Sequence, residues 1–269
     1  MFQDKVAIVT GGASGIGREI CLYLARKGAV VIVADLNVES ANAVSREIAD
    51  LGGNSRAKRV DVAAKGEVED LISETVAEFG RIDLMINNAG IGLDGELKDV
   101  SYDQFKKVID VNLWGTVNGT FSVYPIMIEQ GYGQIVNVSS LAGLLPGGLM
   151  TSYVASKQAV AGLTLALRSE AHQYGIKVNA LCPGFIETPL HDATPKASGF
   201  LGDEKNQRNK KLFPTAEKCV KAMMKGVERN KAIIIAPRLH KVFWWLYRLF
   251  PALIPFAWRK IIERMKREG

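Results

Sequence analysis

Cysteine and histidine are scarce in this 269-residue chain, with three of each. Cys21, Cys182 and Cys219 lie far apart. There is no CxxC pair and no Cys/His cluster, so neither a disulfide framework nor a metal site is expected, and the thiols are read as reduced. No apolar, charge-free run reaches the ~20 residues that span a bilayer. The opening MFQDKVAIVTGG enters a strand-like run at once, with no basic segment and no small-residue cleavage site, which speaks against a secretory leader. These absences point to a cytoplasmic protein. Repeats and low-complexity linkers are also missing, and 48% of the residues are apolar, so a sizeable core is expected and disorder is not. Asn118-Gly119-Thr120 and Asn137-Val138-Ser139 match the glycosylation pattern but fall inside a predicted helix and a predicted strand, and are discounted.

The net charge of +6 is placed unevenly. Residues 231–269 hold nine Lys/Arg against two Asp/Glu, a net of +7. Subtraction from the totals leaves 25 basic and 26 acidic residues in 1–230, a net of −1. A neutral body argues against nucleic-acid binding and towards a local anionic partner of the tail.

Apolar β-branched runs alternate with amphipathic stretches of helix length. The runs at 5–10, 30–35, 56–62, 83–88, 133–140, 176–182 and 231–236 read as seven strands, with helices expected over 15–28, 38–51, 66–79, 101–130 and 151–174. Near-continuous apolar strands separated by helices predict an α/β fold: a Rossmann-like, doubly wound, seven-stranded parallel sheet with helices on both faces, followed by an amphipathic helical tail. One dinucleotide-binding catalytic domain is expected over 1–237, with a lid at about 189–213, and the tail over 238–269.

The first strand runs into TGGASGIGREI, with Gly11, Gly12, Gly15 and Gly17 in the turn and Ser14, Gly15 and Ile16 opening the helix. Glycines let the backbone approach a pyrophosphate, and the helix N-terminus favours its charge. Asp35 ends the second strand, 18 residues after Gly17. A carboxylate there accepts hydrogen bonds from the adenosine ribose hydroxyls and repels a 2′-phosphate. Neither Leu36 nor Ser14 supplies a cation for that phosphate, so NAD(H) is expected over NADP(H). A plain turn role for Asp35 is the competing reading.

Tyr153 and Lys157 stand four residues apart at the start of a predicted helix, on one face. A free phenol, with a pKa of about 10, is a poor base at neutral pH, and a nearby cation favours its ionised form. Taken in order, TGGASGIG, NNAG (87–90), Asn112, Ser140, YVASK (153–157) and PGFIET (183–188) resemble the short-chain dehydrogenase/reductase family, over about residues 4–236. The resemblance implies a cofactor loop lined by Gly11, Gly15 and Gly17. It implies an adenine contact from Asp61 and Val62, and Asn88, Ala89 and Gly90 beside the cofactor ribose. Pro183 and Gly184 lead to Ile186 and Thr188, which would hold the nicotinamide carboxamide. Tyr153 would be the general acid/base, and Lys157 would bind the ribose and tune the phenol. Ser140 would hydrogen-bond the substrate oxygen, and Asn112 would hold a relay water. Family members are usually homodimers or homotetramers. Ser139 is read as structural, because the spacing of thirteen residues to Tyr153 selects Ser140. His172 is read as a packed or solvated residue, Cys182 as a core residue, and His191 as a solvated loop residue in a stretch that covers the substrate.

Residues 141–150, LAGLLPGGLM, are apolar and should border the substrate together with 185–213. Such walls suit a lipophilic alcohol or carbonyl compound: a steroid, a retinoid, or a long-chain or isoprenoid alcohol. The alternatives are a non-catalytic, NAD-responsive membrane adaptor and a dehydrogenase of a small polar alcohol whose tail serves oligomerisation. In the tail, Arg238, Lys241 and Arg248 are expected on one side of a helix, opposite Phe243, Leu246, Tyr247 and Phe250. Pro255 can open a second helix with a stripe of Trp258, Ile261, Ile262 and Met265. The apolar faces would meet either an anionic membrane surface or protein, in a sister subunit or the chain's own body.

Overall fold

The computed structural model describes residues 2–197 and 213–268. Seven parallel strands form one sheet: β1 (Val6–Thr10), β2 (Val30–Asp35), β3 (Asn54–Arg59), β4 (Leu84–Asn87), β5 (Gly133–Val138), β6 (Ile176–Pro183) and β7 (Ile233–Ala236). Their spatial order is β3-β2-β1-β4-β5-β6-β7. The order reverses between β1 and β4, which is where open α/β sheets bind ligands at their C-terminal edge.

Side chains alternate across the sheet with a period of two. Ala7 and Val9 of β1 join a core with α1 (Gly15–Ala25), α2 (Val38–Asp50) and α8 (Ala216–Glu228), through Ile20, Leu24, Ile48 and Met223. Ile8, between them, joins the opposite core with α3 (Lys65–Phe79) and α5 (Gly115–Gln130), through Leu71, Ile72 and Met127. Full burial of each large aliphatic side chain contributes about 1.5–3 kcal/mol. Both layers of the doubly wound expectation are therefore present.

Three boundaries differ from expectation. The third strand stops at Arg59, which leaves Asp61 and Val62 in the turn beyond it. There Glu67 accepts from the Asp61 N–H at 2.8 Å, and the Asp61 carboxylate accepts from the Ala63 N–H at 2.9 Å, so side chains rather than a neighbouring strand satisfy the backbone. The long helix expected over 101–130 is split. α4 (Tyr102–Ile109) passes through a single π-turn, Asp110–Trp114, into α5. α6 (Thr151–Ala171) ends in a 3-10 turn at His172–Tyr174.

Most of the expected lid lies outside the described residues. Its first part forms the short α7 (Leu190–Ala193) and then pairs with the loop after β4, through Asp94 and Lys196. His191 falls in α7, and its side chain is outside what is described. The two sequons are ruled out by burial, since Asn118 is 7% and Asn137 0% exposed.

The tail forms two helices, α9 (His240–Leu249) and α10 (Leu253–Glu268), with Pro255 in the first turn of the second. Its apolar residues divide between two faces. Trp244 packs against the cluster of Ala180, Cys182 and Ile235 at the β6–β7 edge. Trp258, Ile262 and Met265 of the expected stripe are partly buried, whereas Ile261 is exposed. Phe243, Leu246 and Phe250 stay exposed, but Tyr247, expected beside them, turns inward. No described helix is long and apolar enough to cross a membrane.

Candidate active site

The parallel sheet brings every strand's C-terminal end to one edge. The glycine turn after β1 is held there by close packing. A Cβ on Gly17 would lie 2.0 Å from the Gly11 carbonyl oxygen, and one on Gly11, at φ +62°, would lie 2.8 Å from Ala89 Cα. Gly15 also has a positive φ, +51°, and faces Thr188 and Pro189 of the loop after β6. Across the switch point, Asn88 Nδ2 donates to the Thr10 and Gly11 carbonyls at 3.0 Å each. Thr10 Oγ1 accepts from the N–H groups of Asn88 and Ala89 at 3.0 and 3.2 Å. The first turn of α1 carries no acidic residue, and Ser14 precedes it without a side-chain capping bond. Its N–H groups are therefore available to an anion.

Asp35 Oδ2 accepts from the Ala13 N–H, and Oδ1 from the Asn37 N–H, each at 3.0 Å. The carboxylate thus braces the glycine turn as a turn residue would, and each oxygen keeps capacity for a further donor beside the 60%-exposed Leu36. Ile186 is buried, and Pro183 closes the β6–β7 pairing against Ala236. The turn admits no Cβ at Gly11 or Gly17, and the bare helix N-terminus and the Asp35 carboxylate lie beside it at the same sheet edge. This donor set fits a dinucleotide.

The chemical groups sit one strand over. Ser140 follows β5, its Oγ accepts from the Ala142 N–H at 3.1 Å, and its hydroxyl faces the Tyr153 phenol. Burial pushes that phenol above its ordinary value, the Ser140 hydroxyl pulls it back, and the Asp94 carboxylate pushes it up further. Lys157 Nζ lies 5.8 Å from the Tyr153 ring centroid and donates to the Val138 carbonyl at 2.9 Å. Burial brings this ammonium down from 10.5 to about 8. Ser139 is engaged below, donating to the Lys157 carbonyl at 2.7 Å beside the Cys182 thiol. Burial raises that thiol to about 12, so Cys182 is a packed core group.

Asn112 lies in the π-turn and is completely buried. Its Oδ1 accepts from the Ile91 N–H at 2.8 Å, and its Nδ2 donates to the Ile91 carbonyl at 3.0 Å and to Ser156 Oγ at 3.1 Å. The side chain thereby clamps the loop after β4 to α6. Gly90 is held so close that a Cβ on it would be 3.1 Å from Lys157 Nζ and 3.2 Å from Asn112 Oδ1. Asp61 and Val62 lie in the turn after β3, with the Val62 carbonyl accepting from Asn118 Nδ2 at 2.9 Å.

Several participants had no place in the sequence reading. Asp94 influences Tyr153 from a loop with no motif. Thr10 and Ser156 sit inside quoted motifs but were given no role. A buried polar ladder joins Thr120, Asn87, Asn137 and Thr164, with Asn87 Nδ2 donating to Thr120 Oγ1 and Asn137 Oδ1 at 3.2 and 2.8 Å, and Asn137 Nδ2 donating to Thr164 Oγ1 at 3.1 Å. Its one sequence signal was asparagine within otherwise apolar strands. Among the described residues no cluster of His, Cys, Asp or Glu could hold a metal ion.

A family model described as short chain dehydrogenase matches residues 5–198. A 3-oxoacyl-(acyl-carrier-protein) reductase of Thermotoga maritima is 39% identical over 194 residues, spanning 72% of this chain and 79% of that protein. A cyclohexanol dehydrogenase of an Acinetobacter species is 39% identical over 190 residues, spanning 70% and 76%. Among solved structures, a short chain dehydrogenase/reductase from Burkholderia phymatum in complex with NAD superposes with a TM-score of 0.85 at 27% identity, covering 94% of this chain and 95% of that one. Fold and relatives together define an oxidoreductase built on a dinucleotide-binding sheet. The chain belongs to the short-chain dehydrogenase family.

Proposed function

We propose that this oxidoreductase interconverts a hydroxyl and a carbonyl group on a lipophilic substrate, using NAD(H) in preference to NADP(H). The observation that carries the reading is the contact of the Tyr153 phenol with the Ser140 hydroxyl, with the Lys157 ammonium 5.8 Å from the same ring. The bound nicotinamide would supply the hydride acceptor or donor.

In oxidation, Ser140 donates a hydrogen bond to the substrate oxygen and Tyr153 takes the hydroxyl proton; in reduction Tyr153 returns it. Burial by itself works against an ionised phenol, so the Lys157 cation on the same helix face has to favour it. Asn112 acts as a positioning residue, holding Gly90 and Ile91 beside Lys157, and a relay water near it remains part of the reading. The glycine turn, with Ser14 and Ile16, would hold the pyrophosphate, and Asp35 the adenosine ribose. Asp61 and Val62 would meet the adenine, Asn88 to Gly90 the second ribose, and Pro183 to Thr188 the carboxamide. The apolar 141–150 loop, the exposed Phe185 and the neighbouring Trp258 support a lipophilic substrate. The working form would be a homodimer or homotetramer in the cytoplasm or at a membrane surface.

The test is Tyr153→Phe, followed by NADH production from a series of alcohols of increasing chain length. The variant should lose at least about 1,000-fold in kcat while binding NADH within a few-fold of the parent. Retained turnover would overturn the role of Tyr153. A kcat/KM that falls with chain length would overturn the lipophilic substrate.

A further inference from the structure

The tail has two unlike faces. Its inner face closes on the substrate side of the body. His240 sits against Gly184, where a Cβ would come within 1.9 Å of its Nδ1, and its ring meets Phe185 edge-on at 6.1 Å. Trp258 and Ile262 lie against Gly148, each 3.2 Å from where its Cβ would be. Lys266 Nζ pairs with Glu96 at 3.1 Å.

The outer face has no such cover. Among the described residues, ten of the twenty exposed large apolar side chains lie between Leu239 and Ile261. Leu239, Trp245, Leu249, Phe250, Leu253 and Phe256 are each more than half exposed. A patch this concentrated marks an interaction surface. Exposed cations border it at Arg238, Arg259, Lys260 and Arg267, and residues 238–269 carry eight Lys/Arg against two Glu, a net of +6.

Charge decides between the occupants. A symmetric pairing of two copies through this patch would set +6 against +6. The body, at −1 over 1–230, offers little complementary charge. An anionic bilayer answers both properties, since Trp, Phe and Leu enter the headgroup region while Lys and Arg meet the lipid phosphates and carboxylates. We propose that α9 and α10 form a monotopic docking strap, outer face in an anionic membrane and inner face on the substrate-side loops. The strap sets those loops at the bilayer surface. Delivery of substrate from the lipid rests on the lipophilic reading above, but docking does not.

The test is sedimentation of the full chain with vesicles of phosphatidylcholine and phosphatidylserine, or of phosphatidylcholine alone. Trp245→Glu combined with Phe256→Glu alters two exposed side chains outside the catalytic set, and NADH binding checks that the fold is intact. The parent chain should partition at least about tenfold better onto the anionic vesicles, and salt should weaken it. The double variant should lose at least about tenfold in partition while keeping NADH affinity. A parent chain that binds NADH but neither vesicle overturns the docking and leaves the oxidoreductase reading standing. A double variant that keeps vesicle binding, or that dissociates into smaller oligomers while the parent ignores lipid, overturns it as well, the latter in favour of a subunit interface.

Discussion

Replacing Lys157 with methionine should stabilise the fold while ending catalysis. Lys157 is 3% exposed, and burial holds its pKa at about 8 instead of 10.5. The difference, at about 1.4 kcal/mol per pH unit, amounts to roughly 3 kcal/mol of stability forgone at neutral pH. Methionine fills much of the same stem volume with no charge, but it releases the Val138 carbonyl from its 2.9 Å bond. An unpaired buried carbonyl costs about 1–2 kcal/mol, which leaves a net gain of about 1–2 kcal/mol, or about 3–6 °C in melting temperature for a domain of this size. The pH dependence follows from the direction of the shift. The folded-state pKa lies below the unfolded one, so the unfolded chain binds the proton more tightly, and wild-type stability rises as pH passes from about 8 to 10.5. Below about 8 both states carry the proton and the full penalty is present. The variant's advantage should therefore be greatest at neutral pH, vanish about one pH unit above 8 and reverse by pH 10.5, where only the unpaired Val138 carbonyl separates the two. Thermal melts without dinucleotide, stepped through that range, read this directly, and kcat should fall at least about 100-fold. A variant that melts several degrees lower at neutral pH, or a gap that does not change with pH, would refute the reasoning.

Gly17→Ala should weaken NADH binding at least about tenfold and destabilise by about 1–3 kcal/mol or more, because the new Cβ would stand 2.0 Å from a backbone oxygen. Gly162→Ala, which meets nothing within 4 Å on α6, serves as the control and should be neutral or stabilise by about 0.5–1 kcal/mol in the same titration and melt. Asp35→Asn combined with Leu36→Arg should shift the kcat/KM ratio from NAD towards NADP by at least about 100-fold. Repulsion between two unit charges at ~5 Å is about 3 kcal/mol at an effective dielectric constant of ~20, and the arginine adds attraction. An unchanged ratio in paired steady-state assays would remove Asp35 from the ribose site.

The strands and the nucleotide turn were legible because their signals are local. Apolar runs such as VAIVT and VVIVAD bury on both faces whatever their neighbours, and the glycines at 11, 15 and 17 answer to backbone conformation and close approach within one turn. Tyr153 and Lys157 were legible through helix spacing, and Ser140 through a motif interval. The π-turn at Asp110–Trp114 was not, because it inserts a residue without interrupting an apolar pattern. Nor was the clamp of Asn112 on Ile91 and Ser156, whose partners are 21 and 44 residues away.

The sequence by itself determined a parallel α/β sheet, the strand–turn–helix that suits a dinucleotide, and a basic tail with helical periodicity. Periodicity states which residues share a face but not what that face will touch. Only the tertiary structure decided that Trp244, Trp258 and Ile262 turn onto the body while Phe243, Leu249 and Phe256 turn to solvent. The physical reason is that α10 is oriented by contacts with Gly147, Gly148 and Glu96, more than a hundred residues earlier. The pKa of Tyr153 was decided in the same way. Its spacing to Lys157 is written in one helical turn, but the burial and the Asp94 carboxylate that raise it come from elements far along the chain.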